Sequence, residues 1–472
     1  MDFVTLHDLV ILLYRNLQKK STPLLRFFVE SDKKQKNIDN PLCMLYTVPI
    51  QIYTQKGGLH MNMEKFPIGF WNYTATGQQT AKDVKDWADL GMTMANSPEY
   101  WEGCDKQCML DILDACAEHG IKVILCDRRA RWWGISEDPE GVRARFAEAV
   151  ADFGNHPAAL GFHVGDEPTN DLTFRESAMA HKMQLEVAPH LLPHLNFLPY
   201  WEGQEKTLLK FPTFTAWAQN MVETADLQVL CYDCYAQMNP EESGTHTYFT
   251  NLRKFMEAAD ATGITPWTTL LSVGHFRYRC PSEDDLRWQL NTAVASGMKG
   301  ILWFFVYERM PTSNYRLPPI DEFGERTPTF YSMSRVNRHF LHQFGDFFLH
   351  AKHISTWHTV RSFGGYELFK PGAVDDVILD VTCDHGLPAV VSFFEKDGGK
   401  YVAVVNNTTT ESGLFKIHVP RGTKVFQRFD WNHNCVDMKT NAWDAHYSET
   451  DTEYIGGDWL APGQMKLYRY EA

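Results

Sequence analysis

The sequence predicts an α/β chain: a (β/α)8 TIM barrel followed by an all-β sandwich. Three observations predict it. From Phe66 onward, eight short apolar runs alternate with longer stretches whose apolar residues recur at helical spacing. After Ala351 that rhythm gives way to alternating strands separated by turn residues. The 472 residues are too many for one ordinary core and suit a barrel of roughly 250 residues with a smaller companion.

Taken in order, residues 1–60 differ from the rest. They hold a short apolar helix candidate, a Lys-rich patch at 31–37 and a strand-like stretch at 44–53. They are read as an N-terminal extension, or as residues upstream of a start at Met61 or Met63. Residues 8–14 are apolar, but no Lys or Arg precedes them and no small-residue cleavage site comes after, which makes a poor signal peptide.

The barrel is placed at 61–351. Its strands are expected at 67–71, 92–96, 122–126, 160–165, 195–198, 227–232, 267–272 and 300–306. Helical patterns lie between them, as at 80–90, 106–119, 141–153, 247–262 and 283–296, with an eighth helix at about 330–348. Several close on a glycine before the next strand, as at Gly91, Gly120, Gly263 and Gly297. No Gly-rich phosphate fingerprint follows any of the strands, which weakens a dinucleotide-binding sheet. The sandwich is placed at 352–472, with strands at 377–381, 389–394, 401–406, 413–419, 425–429 and 465–469 and turns at Gly398-Gly399, Asn406-Asn407 and Pro420-Arg421-Gly422.

Composition narrows the function. A formal charge of -14 argues against a nucleic-acid or anionic-membrane surface, since either wants a basic face. No run of 18 apolar residues is long enough to span a bilayer. The ten cysteines show no repeating frame. Cys231 and Cys234 form a C-x-x-C, yet on a strand positions i and i+3 point to opposite faces, and Cys104 and Cys108 have no histidine pair near them. Neither a metal nor a cofactor is expected.

Residues 161–168, Gly-Phe-His-Val-Gly-Asp-Glu-Pro, are an apolar strand running directly into two carboxylates and a proline. Strand C-termini line the active site of such barrels, so Glu167 stands where a general acid belongs. Asn72 follows the first strand, Asn96 and Trp101 the second, Asp127 the third, Asp166 and Glu167 the fourth, and Tyr200 and Trp201 the fifth. Asp233 and Tyr235 follow the sixth, His275 the seventh, Tyr307 and Glu308 the eighth. Sugar hydroxyls want bidentate polar partners and sugar C–H faces stack on rings, so a carbohydrate substrate fits this rim best.

These strand ends resemble the clan A glycoside hydrolases, in which the fourth strand ends in Asn-Glu-Pro and the sixth in His-x-Tyr. Here they read Asp166-Glu167-Pro168 and Asp233-Cys234-Tyr235. The resemblance implies Glu167 as acid/base and Tyr235 as a residue that steadies the nucleophile. It also implies a nucleophilic Glu ending strand seven, where this chain reads Leu271-Ser272-Val273-Gly274-His275. Glycoside cleavage ordinarily needs two carboxylates. Glu308, Asp233 and Asp166 are the candidates for the second, and substrate assistance is a further route. The expected function is hydrolysis of O-glycosidic bonds in a polysaccharide or oligosaccharide; the alternative is a non-catalytic carbohydrate-binding barrel that has lost its nucleophile.

Overall fold

The computed structural model describes residues 63–239, 244–308, 314–440 and 442–472; the reading of residues 1–60 lies outside them. Eight strands run parallel: β1 (Ile68–Phe70), β2 (Met94–Asn96), β3 (Lys122–Leu125), β4 (Ala159–Asp166), β5 (Leu192–Phe197), β6 (Val229–Asp233), β7 (Thr265–Leu271) and β8 (Ile301–Phe304). Their order is β1-β8-β7-β6-β5-β4-β3-β2, which makes a nearly closed barrel. Thr93 ties the seam between β1 and β2, its N–H donating to the Ile68 carbonyl at 2.9 Å and its hydroxyl accepting from the Ile68 N–H at 2.8 Å.

The strands are apolar on both faces because both are covered. Met94, Ile124, Leu192, Cys231, Trp267 and Leu302 face the barrel interior. The alternate residues Phe70, Ala95, Val123, Phe162, Leu230 and Leu270 pack outward. Cys231 therefore lies inside and Cys234 outside, as the period of two requires.

The outer ring comprises α1 (Val84–Asp89), α2 (Lys106–Glu118), α3 (Pro139–Ala149), α4 (Asp171–Val187), α5 (Phe214–Ala225), α6 (Thr245–Thr262), α7 (Glu283–Ala295) and α8 (Pro328–Phe340). Sequence signals start and stop them. Asn170 caps α4 through its side chain, Ser282 and Asp285 form a capping box on α7, and Gly263 ends α6 at φ 75°. The eighth helical run covers the expected 330–348 without a break: α8 ends at Phe340, a wider π turn covers Leu341–Gly345, and a last turn runs Asp346–His350.

Ten antiparallel strands follow in two sheets: β9 (Lys352–His358), β10 (Asp380–Cys383), β11 (Ala389–Lys396), β12 (Gly399–Asn406), β13 (Gly413–Pro420), β14 (Val425–Phe429), β15 (Cys435–Asp437), β16 (Ala445–Glu449), β17 (Glu453–Leu460) and β18 (Met465–Glu471). A four-stranded sheet, β10-β13-β17-β16, faces a six-stranded one, β15-β14-β18-β12-β11-β9. Val381, Ile417, Val402 and Tyr468 are buried between them. The other face of the six-stranded sheet, through Val390, Phe394, Ala403 and Leu467, joins the core that runs out from the barrel helices. Trp288 on α7 clamps this contact, its indole N–H donating to Asn407 Oδ1 at 2.8 Å. The run expected at 377–381 becomes a strand only from Asp380, and β9, β15, β16 and β17 were not expected as strands. Among the described residues no helix is long and apolar enough to cross a membrane.

Candidate active site

The end of β4 builds the site. Gly165 is required there, because a Cβ on it would stand 2.0 Å from the Trp132 ring. Opposite β5 the register shifts between His163 and Gly165, a bulge of the kind that re-aims side chains at barrel rims. Glu167 then turns into the left-handed region at φ 46°, its N–H donating to the Asn196 carbonyl at 2.9 Å. Strand alternation had predicted Asp166 and Glu167 to point apart. The bulge and the turn cancel that alternation, and both are brought to Asp233.

Asn196, at the inward end of β5, joins them. Its Nδ2 donates to Asp233 Oδ1 at 2.9 Å and to Asp166 Oδ1 at 3.1 Å. Glu167 and Asp233 lie within hydrogen-bond reach of each other. Burial pushes the Glu167 carboxyl above its ordinary range, with the bond to Asp233 opposing it. Burial, then the Glu167 and Asp166 charges, push Asp233 well up. Such a pair titrates as a unit. Asp166 is pushed up to about 6, by burial first and then by Glu167, with Asn196 and Arg131 opposing. Its residue opens to solvent, which screens part of that effect.

Through Tyr235, an aromatic arc adjoins the carboxylates. Phe304 is its hub, with ring centroids of Tyr235 at 5.4 Å, His275 at 5.1 Å and Tyr73 at 5.8 Å. Tyr315 stacks on His275 at 5.2 Å and 7°, and Tyr278 meets Tyr235 edge-on at 5.9 Å. Burial, then Asp233, raises the Tyr235 hydroxyl well above its ordinary range, and burial lowers the His275 imidazole. Beneath lies a floor in which His163 and His194 meet Nδ1 to Nδ1 at 3.2 Å. Burial drives both below their ordinary range, His194 to about 3, so both are neutral.

The structure thus brings Asp166, Glu167, Asp233 and Tyr235 together and sets His275 in the adjoining arc. Other predicted rim residues are committed elsewhere. Asn72 spends its amide on Gln79, Thr74 and the Asn96 carbonyl. Asp127 caps a short turn and takes Arg129 through both oxygens, the ion pair that its Arg neighbours suggested. Tyr307 turns outward into the helical layer, where its hydroxyl accepts from the Trp87 indole at 2.8 Å rather than facing a ligand. Trp101 lies under the Arg128 guanidinium at 4.6 Å. Tyr200 packs on Phe214 beneath Lys254, beside Trp201, which is 43% exposed. Asn96 is fully buried at the inward end of β2, and neither amide atom has a partner among the described residues. Glu308 is half-buried, with its N–H on the Ile320 carbonyl. Asn196, His194 and Arg131 were missed as site residues. The signal for the first two was there: in Leu-Pro-His-Leu-Asn-Phe, the His and Asn two apart share the inward face of an apolar strand.

The fold resembles that of the clan A glycoside hydrolases, a (β/α)8 barrel followed by a β-sandwich. A family 5 glycoside hydrolase from Bacteroides vulgatus superposes with a TM-score of 0.51 at 10% identity, covering 86% of this chain and 88% of that one. A family 39 glycoside hydrolase from Bacteroides cellulosilyticus gives 0.48 at 13%, over 86% and 81% of the two chains. A glucosidase from Croceicoccus marinus gives 0.45 at 11%, over 86% and 95%. No protein-family profile and no curated protein matches the sequence.

Proposed function

We propose that the chain hydrolyses O-glycosidic bonds of an oligosaccharide or polysaccharide, with Glu167 as general acid and Asp233 as the second carboxylate. The observation that carries this reading is that Glu167 and Asp233, at the ends of β4 and β6, come within hydrogen-bond reach of each other beside an aromatic arc. Glu167 gives its proton to the leaving glycosidic oxygen as the C–O bond breaks. Asp233, ionised, meets the positive charge that develops at the anomeric carbon. Attack is assigned to Asp233 itself, with retention of configuration. Water then enters with Glu167 acting as base. Tyr235 and the arc offer rings to the sugar face.

The test is turnover of a panel of p-nitrophenyl glycosides and oligosaccharides. Glu167→Gln and Asp233→Asn are each expected to lower kcat/KM by about 10³-fold or more while the far-UV circular dichroism is unchanged. Glu308→Gln is expected to keep most activity. Full turnover by Glu167→Gln would sink the assignment, and loss confined to Glu308→Gln would move the second role there.

A second reading is a barrel that binds carbohydrate without cutting it, favoured by the absence of a carboxylate in Leu271-Ser272-Val273-Gly274-His275. Calorimetric binding of oligosaccharides with no release of reducing ends would select it.

A further inference from the structure

Asn196 touches all three acidic residues of the site. It is 2% exposed and ends the inward face of β5, between the strands that carry Asp166 and Asp233. Its backbone carbonyl holds the Glu167 N–H at 2.9 Å. Its Nδ2 reaches Asp233 Oδ1 at 2.9 Å and Asp166 Oδ1 at 3.1 Å, so both amide hydrogens are spent on carboxylates. The amide orientation follows from this, because a flipped group would set its oxygen against two acceptors. Its own Oδ1 is buried without a partner among the described residues.

We propose that Asn196 is a positioning residue of the site, whose single amide holds the Asp233 carboxyl turned toward Glu167 and favours its charged form. The proposal rests on Glu167 and Asp233 being the reacting pair. A donor to a carboxylate stabilises its charged form, and this one acts on Asp233 and Asp166 but not on the Glu167 carboxyl. The other groups facing Asp233 are Glu167 and Asp166 from β4, Tyr278 beyond β7, and Cys231, Cys234 and Tyr235 along its own strand. Arg131, from the loop after β3, bears on Asp166. Asn196 thus supplies a polarity that those acids and phenols do not. Losing the donor makes Asp233 harder to ionise, so the deprotonation step in which Asp233 gives up its proton moves to higher pH while the other stays nearly unchanged.

The experiment is the pH profile of kcat/KM for Asn196→Ala and Asn196→Ser on whichever p-nitrophenyl glycoside the wild type cleaves. A hydrogen bond to a charged group is worth about one pH unit. One limb of the Asn196→Ala profile is expected to rise by that amount with the other in place. Asn196→Ser, which keeps one donor, is expected to recover about half and carries the test should the alanine variant not fold. Unmoved limbs, with only stability or overall rate reduced, would overturn the proposal. If the wild type cleaves no glycoside, the hydrolase reading fails, and infrared titration of the protonated carboxyl band still decides: that band should persist to higher pH in Asn196→Ala, and identical titrations would overturn it.

Discussion

Glu167 holds a backbone conformation that costs a residue with a Cβ about 1 kcal/mol, and the return on it is direction. Without φ 46°, the β-strand period would send its carboxyl away from Asp166. The charges it meets also strain the folded state. Burial and its neighbours raise Asp233 above its unfolded value, so the folded chain binds that proton more tightly. Its contribution is fully stabilising below the unfolded pKa of about 4 and is lost as pH rises through the folded pKa. Asp233→Asn keeps an acceptor for Asn196 and removes the charge. It is expected to raise Tm by about 2 °C at pH 8, a gain that shrinks toward pH 4 in thermal melts. A gain equal at both pH values would assign the effect to packing instead.

At the level of elements, the long periodic segments were readable and the short ones were not. Helix α6 was expected at 247–262 and forms at Thr245–Thr262, because its apolar face recurs at the helical period over four turns. Strand β15 is only three residues long, β16 carries polar residues on both faces, and β17 contains Gly456-Gly457, so none of them shows a period for a reader of the sequence to find. Their place is set instead by pairing: Gly457 lies so close to the Phe415 carbonyl that a Cβ would stand 1.9 Å from it. Helix α7 shows the reverse case, an amphipathic helix with a second task. Trp288 is 3% exposed, bonds Asn407 and lies against Gly463, where a Cβ would stand 2.5 Å from its Cα. Trp288→Ala leaves a cavity and an orphaned amide at that joint. Equilibrium unfolding in urea should show a loss of about 3–5 kcal/mol.

For the whole molecule, the barrel and sandwich share one core rather than meeting at a polar seam. Phe347 and Phe348, after α8, pack against Phe394 of β11, and Tyr401 of β12 meets Phe347 at 4.8 Å. The six-stranded sheet is therefore buried on both faces. A chain ended at residue 351 would bare Phe340, Phe344, Phe347 and Phe348 together. Its soluble fraction on expression is expected to fall by about tenfold or more against the full chain, consistent with the aggregation expected of a large exposed apolar patch. Equal solubility of the two would mean that the sandwich is an independent appendage.

The order of strands and helices, the sandwich after the barrel and the acid at the end of β4 were all readable in the amino-acid sequence, because each rests on local periodicity and on the residue types just past a strand end. The carboxylate cluster was not. Glu167 and Asp233 are 66 positions apart in a chain whose strand alternation argued against joining Asp166 and Glu167. The spacing of His194 and Asn196 puts both on the inward face of β5, but it does not say which strand ends Asn196 reaches. Which strand ends face one another, and which way a side chain turns past a bulge, depend on barrel closure and register. Those are long-range pairings that carry no signature in the residues they bring together.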